Sequence, residues 1–296
     1  MKNNIIQFDR RERILGKARA YTESVETFLA ETEKAVPLLI SALFRADEEL
    51  KHKIIVLLGG IAKNEVVWPI YHFMSDMDQS EELRRAASIQ LCLLGGFLDD
   101  TRQLHLHLVE DISHPDDKIR ANAAFALGWE GNKKASRHLR ELLSDNDPDV
   151  QQAAICALAN IGDIDQLYIL IRELDNATLD KKRVIICNLW RFSENEKKVI
   201  SVLLQCLEHE NELVRMDALA SFGLVSRMEN YLKVYGKCLS DPSPDIREQV
   251  LIRLFELSVE KITVFKKTIL KLVKDPVPKV RQQAIRLISR CNWTWG

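Results

Sequence analysis

The stretch Asp275-Pro276-Val277-Pro278-Lys279-Val280-Arg281 decides the fold, because the chain carries it twice before. It stands earlier as Asp241-Pro242-Ser243-Pro244-Asp245-Ile246-Arg247 and, more loosely, as Asp145-Asn146-Asp147-Pro148-Asp149-Val150-Gln151. Each copy leads into an apolar run with helical spacing. Anchoring on the residue before the basic one gives Leu50, Leu83, Ile119, Val150, Lys181, Val214, Ile246 and Val280. These anchors are spaced 33, 36, 31, 31, 33, 32 and 34 residues apart. A period in that range is the signature of a repeat array. Only Lys181 departs from the apolar anchor type.

Other columns keep the same register. Four after the anchor stand Ile54, Ala87, Ala123, Ala154, Ile185, Ala218, Val250 and Ala284, and eight after stand Leu58, Leu91, Leu127, Leu158, Leu189, Phe222, Leu254 and Ile288. Positions i and i+4 share one helix face, so these columns predict a buried stripe. Twelve after stand small residues, among them Gly95, Gly131, Gly162, Ser226 and Asn292. Glycine suits a helix end because it enters the left-handed region without steric cost. Seven and eleven before the anchor, pairs such as Leu39 with Leu43, His72 with Asp76, and Leu139 with Leu143 mark the inner face of a preceding helix. Each unit therefore reads as helix A, a short turn, helix B and a small-residue stop. Asp in the turn caps helix B or orders the turn, and Pro ends one helix or opens the next. A lone pair cannot bury both faces, so neighbours stack into a one-dimensional array. The expected layout is a capping segment over residues 1–33 and a single array over 34–296.

The segments 116–128 (DDKIRANAAFALG) and 149–162 (DVQQAAICALANIG) resemble HEAT repeats, most closely the short bacterial HEAT-like type found in phycobilin lyase subunits. The resemblance covers roughly residues 34 to 292. It implies an all-α, right-handed solenoid of about eight helix pairs with helix B lining the concave side. It leaves function open, since adaptors, lyase subunits, a hydroxylase and DNA-repair enzymes share the repeat.

Composition bounds what remains. The 296 residues are 46% apolar and 29% charged, with net charge −1. That balance is globular, and it speaks against a nucleic-acid or anionic-membrane track. The N-terminus, Met1-Lys2-Asn3-Asn4-Ile5-Ile6, lacks an apolar secretory core, and no apolar run approaches the ~20 residues of a membrane span. A cytoplasmic protein is expected.

The motifs mostly reduce to packing. Of six cysteines, none has CxxC spacing; Cys156 and Cys187 both fall six after their anchors, and Cys206 and Cys238 eight before theirs. Equivalent positions point to core thiols. One after the anchors runs a basic column, including Arg84, Arg120, Arg215, Arg247 and Arg281. The resemblance implies that this Arg bonds a neighbouring turn Asp. The HEAT-like di-iron hydroxylase carries His-Glu pairs two and three after the anchor, and none occurs here; His105, His107 and His114 do not share a face. No metal centre, cofactor, small-molecule site or catalytic constellation is expected.

Two features fall outside the packing pattern. Residues 10–19 hold Arg10, Arg11, Arg13, Lys17 and Arg19, followed by Val25, Phe28 and Leu29, and read as a capping helix with a solvated basic side or as a basic arm that touches a partner. Trp293 and Trp295 either fold over the last pair or anchor a partner. The exposed columns of helix B are expected three, seven and ten after the anchor. On that basis Asn122, Trp129, Asn160, Asn188 and Arg191, with Trp190 beside them, form the expected contact set of a non-enzymatic scaffold that binds a protein partner, unless the Trp rings only plug gaps between helices. The resemblance supplies an alternative, a lyase-like subunit or chaperone for a tetrapyrrole protein. Nucleic-acid binding is a further alternative.

Overall fold

The computed structural model describes residues 2–225 and 232–294, with side chains from Arg11 onward. Ser226, Trp295 and the side chain of Arg10 lie outside the described residues. Among the described residues the regular structure is helical, with no strand. Helices α1 (Lys2–Glu23) and α2 (Val25–Ala30) precede eight A/B pairs. These are α3 (Thr32–Leu43) with α4 (Glu48–Gly59), α5 (Asn64–Ser75) with α6 (Glu81–Gly95), and α7 (Arg102–Asp111) with α8 (Asp117–Ala126). Next come α9 (Ser136–Glu141) with α10 (Pro148–Ile161), α11 (Ile164–Asn176) with α12 (Leu179–Asn188), and α13 (Glu196–Cys206) with α14 (Glu212–Val225). The last are α15 (Leu232–Cys238) with α16 (Pro244–Leu254), and the split helix α17 (Val259–Ile262) plus α18 (Lys266–Leu272) with α19 (Pro278–Arg290). The chain forms two compact units, Met1–Gln166 and Leu167–Gly296, divided inside α11.

Within the first unit, α4, α6, α8 and α10 pack each against the next, and within the second α12, α14, α16 and α19 do the same. The four-after and eight-after columns are the core: Ile54, Leu58, Ala87, Leu91, Val250 and Leu254 are fully buried. In the second pair the helix A register differs from expectation. His72 is exposed, and Ile70, Phe73 and Met74 are buried instead. There α5 turns to bury its own apolar stripe, which begins at Val66 and Val67.

The turns are held as the Asp residues suggest. The Asp47, Asp116 and Asp147 carboxylates accept from backbone N–H groups two or three residues on and cap α4, α8 and α10. Prolines 148, 244 and 278 open their helices, where the missing N–H costs nothing. Gly162 (φ 74°) and Asn292 (φ 52°) take the left-handed conformation at helix ends, and Gly131 (φ 76°) takes it in the turn that follows α8. Gly95 is small for another reason: a Cβ there would lie 2.4 Å from the Trp129 ring.

The basic column forms a ladder between consecutive pairs. Arg120 donates from Nε and Nη2 to both Asp145 carboxylate oxygens at 3.0 and 2.9 Å, and from Nη1 to the carbonyls of His114 and Pro115. Arg215 grips Asp241, at 2.9 Å on each oxygen, and the carbonyls of His209 and Glu210. Arg247 grips Asp275, at 2.8 and 2.9 Å, and the carbonyls of Asp241 and Pro242. One guanidinium thus orders its own turn and clamps the next, using the planar fork that lysine lacks.

At the N-terminus, α1 packs on α3 and α4, with Arg19 paired to Asp47 at 2.7 Å and Arg11 donating to the Arg45 carbonyl. Ser24 caps α2 through the Thr27 N–H. Of the apolar face expected there, only Phe28 is buried, while Val25 and Leu29 face solvent, because six residues of helix present one side to the array.

Candidate functional site

Within each unit the B helices pack side by side, so only a narrow stripe of an inner one remains for solvent. Gly59 abuts the Gln90 side chain, and Gly128 lies against Ala157, where a Cβ would meet the Ala157 Cα at 2.4 Å. The small residue nine after one anchor therefore receives the residue seven after the next. Between α6, α8 and α10 that contact buries the residues three and seven after the anchor: Ala86, Asn122, Ala153, Gln90, Ala126 and Ala157. The open stripe lies two and six after the anchor, about 100° further round the helix.

The expected contact set is corrected accordingly. Asn122 is buried beside α10, and Trp129 is buried against Gly95, with its ring edge-on to His105 at 6.2 Å. Trp129 fills a gap between helices. Asn160 is half-buried; its Nδ2 reaches the Cys92 sulfur at 3.8 Å, and its Oδ1 is enclosed without a hydrogen bond. These three residues belong to the first unit. In the second unit, Asn188 donates to the Val184 carbonyl and accepts from Arg191 Nε. Trp190 is 37% exposed with the Arg191 guanidinium 4.7 Å from its ring centre. It stands nine after Lys181, where Gly59, Gly128, Ala159 and Gly223 stand in other pairs and Cys92, Phe255 and Ser289 depart from them. There α12 gives way to a tighter 3-10 stretch over Leu189–Asn195, broken at Phe192, which turns the ring outward.

The sequence reading missed the residues that do face out. In the first unit the column six after the anchor holds Val56 and Ile89, both exposed, then Phe125 and Cys156, both half-buried. Leu93 joins them at 52% exposure. Between α6, α8 and α10 this stripe borders a cleft of about 170 Å³. Ile89, Phe125 and Cys156 form its apolar walls, Asn122 and Ala153 its floor, and Arg85, Asp149 and Gln152 its polar edge. Lys118 ties that edge together, lying 3.5 Å from Asp149 and 3.2 Å from Glu81. The arrangement offers apolar contact flanked by charges of both signs. The sequence carried only a broken hint of this, since Gly59, Gly128 and Gly223 share the position nine after the anchor with Cys92, Trp190, Phe255 and Ser289.

The cysteines divide by the same geometry. Cys92, Cys238 and Cys291 are buried and Cys206 is half-buried, with burial pushing the Cys206 and Cys238 thiols up to about 11. Cys187 is exposed, against expectation, because six after the anchor is the open stripe. Elsewhere, Tyr71 donates to Asp111 at 2.9 Å, and burial followed by that bond pushes its hydroxyl up to about 12. Trp68 and His107 pack around it. His105 sits apart, its titration lowered by burial and then by His138 and Lys134. Among the described residues, no group of three or more His, Cys, Asp or Glu is placed to hold a metal ion. No helix there is long and apolar enough to cross a membrane.

A family model described as HEAT repeats matches residues 106–189, which include α8 and α10 of the cleft. No curated protein matches the sequence. Among solved structures, the chain is similar to one from the complex of CpcE and CpcF of phycocyanin lyase from Nostoc sp. PCC7120. That likeness has 17% identity and a TM-score of 0.46, and covers 86% of this chain and 94% of that one. The chain is also similar to one from the Kap95p–RanGDP complex, with 15% identity and a TM-score of 0.46, covering 88% of this chain and 40% of that one.

Proposed function

We propose that this HEAT-repeat chain is a non-enzymatic scaffold that binds a protein segment along the open stripe of its B helices, centred on the cleft between α6, α8 and α10. The observation that carries this reading is the run of outward apolar side chains Val56, Ile89, Phe125 and Cys156 on four consecutive B helices. Scattered single apolar residues on a surface need no explanation, but a row repeated in register forms a continuous patch. Neighbouring helix axes lie roughly 8–10 Å apart, so successive rungs suit apolar side chains carried about that far apart on a partner. Binding works by shape and by several contacts at once on a preorganised support, with Arg85, Asp149 and Gln152 fixing register at the rim.

The test is capture of partners from the source cell with the wild-type chain and with Phe125→Asp, after checking that both melt alike. Loss of Phe125 as a hot spot weakens binding by ~2 kcal/mol or more, roughly thirtyfold. If the same partners bind Phe125→Asp and Ile89→Asp undiminished, the stripe is not the interface. Trp129→Ala serves as the contrast: it should lower the melting temperature and leave affinity unchanged wherever the fold survives.

A further inference from the structure

We infer that Arg84 heads an anion site in the first unit, where its Nε and Nη2 take a small free carboxylate. Arg84 stands one after its anchor, as Arg120, Arg215 and Arg247 do. Each of those three holds a carboxylate of the following turn on Nε and Nη2, at distances between 2.8 and 3.0 Å. The carboxylate belongs to the residue five before the next anchor, Asp145, Asp241 or Asp275. For Arg84 the residue in that place is His114.

His114 does half of what the aspartate does. Its Nδ1 accepts the Asp116 N–H at 3.0 Å, just as the Oδ1 atoms of Asp145, Asp241 and Asp275 accept the N–H two residues on. An imidazole that accepts at Nδ1 carries its proton on Nε2. It orders the turn but offers the guanidinium no acceptor, whereas a carboxylate serves both. Among the described residues no other carboxylate takes over. Arg84 Nε is enclosed without a hydrogen-bond partner, and Nη1 meets the Met77 sulfur, a weak acceptor, at 3.0 Å. Yet Arg84 is only 4% exposed, against 8% for the paired Arg215. A buried cation left without its anion is costly, and a guanidinium cannot escape by shedding its proton.

The intact rungs show the shape of the missing group: two oxygens in one plane on the two donors of the fork, as formate or acetate would supply. Met77 and His114 both lie exposed, which gives such an ion a way in. The enclosure of Nε favours a free ion over an acidic side chain of another protein, whose backbone would have to follow it inward. His209 fills the same place in the sixth pair, with Nδ1 on the Asn211 N–H, but the cation one after the preceding anchor is Lys182, only half-buried and without a fork. A bound carboxylate completes the rung between the second and third pairs. It thereby tightens α6 against α8, whatever the stripe on those helices binds.

The test follows the Arg84 Nε–H resonance of the full, isotope-labelled chain while sodium formate replaces sodium chloride at constant ionic strength and neutral pH. The resonance is identified by its loss in Arg84→Lys. The expected result is a saturable shift of that signal, with a melting temperature raised by about 2 °C or more. Arg84→Lys keeps the charge but loses the fork, and its melting temperature should not respond to formate. His114→Asp supplies the carboxylate from the chain itself. It should melt higher than the wild type in chloride and no longer respond to formate. A wild type indifferent to formate, even with His114→Asp stabilised, would mean that water fills the fork and overturns the inference. So does a response undiminished in either variant, which is a general salt effect, a His114→Asp chain no more stable than the wild type, or a response to sulfate that exceeds the one to formate.

Discussion

At the scale of single residues, the ladder arginines and their aspartates control stability. The Arg247 and Asp275 side chains are 11% and 4% exposed, so removing one leaves the other buried and unpaired. Asp275→Ala should cost about 3 kcal/mol, read as a shift in urea midpoint. Burial alone would push the Asp275 and Asp145 carboxyls up. The paired arginine and a turn N–H outweigh it and hold both below the usual carboxylate value. A depressed folded-state pKa adds stability that is complete above the unfolded value, about 3.9, and is lost as pH falls through the folded one. The urea midpoint should therefore show no pH dependence from these groups between pH 5 and 7, where their contribution is complete, and should fall below about pH 4. In Asp275→Asn the acid-side loss should be shallower; an unchanged pH profile would remove Asp275 from this account.

At the scale of helices, the distance between neighbouring B helices depends on small residues. A methyl at Gly128 would stand 2.7 Å from the Ala157 Cβ and closer still to its backbone, so Gly128→Ala must push α8 from α10. A cost of about 1–3 kcal/mol is expected, measured by denaturant unfolding. Gly95 behaves differently, because its neighbour is the removable Trp129 side chain. Gly95→Ala should be costly in the wild type and nearly neutral in a Trp129→Ala background, a coupling that a double-mutant cycle reads directly. Additive costs would show that the ring and the glycine do not share the contact. Trp129→Ala alone leaves a void and should cost roughly 3–5 kcal/mol. The stripe at Ile89, Phe125 and Cys156 exists because these contacts use up the other sides of the helices.

At the scale of the whole molecule, contacts run between sequence neighbours, so stability is a sum of local terms more than one cooperative quantity. The two units also differ in composition: residues 1–166 hold 20 Lys or Arg against 27 Asp or Glu, while residues 167–296 hold 22 against 16. Hydrogen exchange on Asp275→Ala should show protection lost in α16, α18 and α19 while α4, α6 and α8 keep theirs. A uniform loss across both units would mean that the chain unfolds as one body.

The period, the helix pairing, the buried columns and the turn aspartates were legible in the sequence. They depend on short-range rules: spacing along one helix, capping by Asp, and Pro or Gly at helix ends. The same rules singled out Arg120, Arg215 and Arg247 before their partners were visible. Tertiary structure alone decided which way the remaining side chains face. A rotation of about 100° about the helix axis separates the columns three and seven after the anchor from those two and six after it. The repeat pattern alone allowed either. The close approach at Gly59, Gly95 and Gly128 fixed it in the first unit, and in doing so buried Asn122 and Trp129 and exposed Ile89.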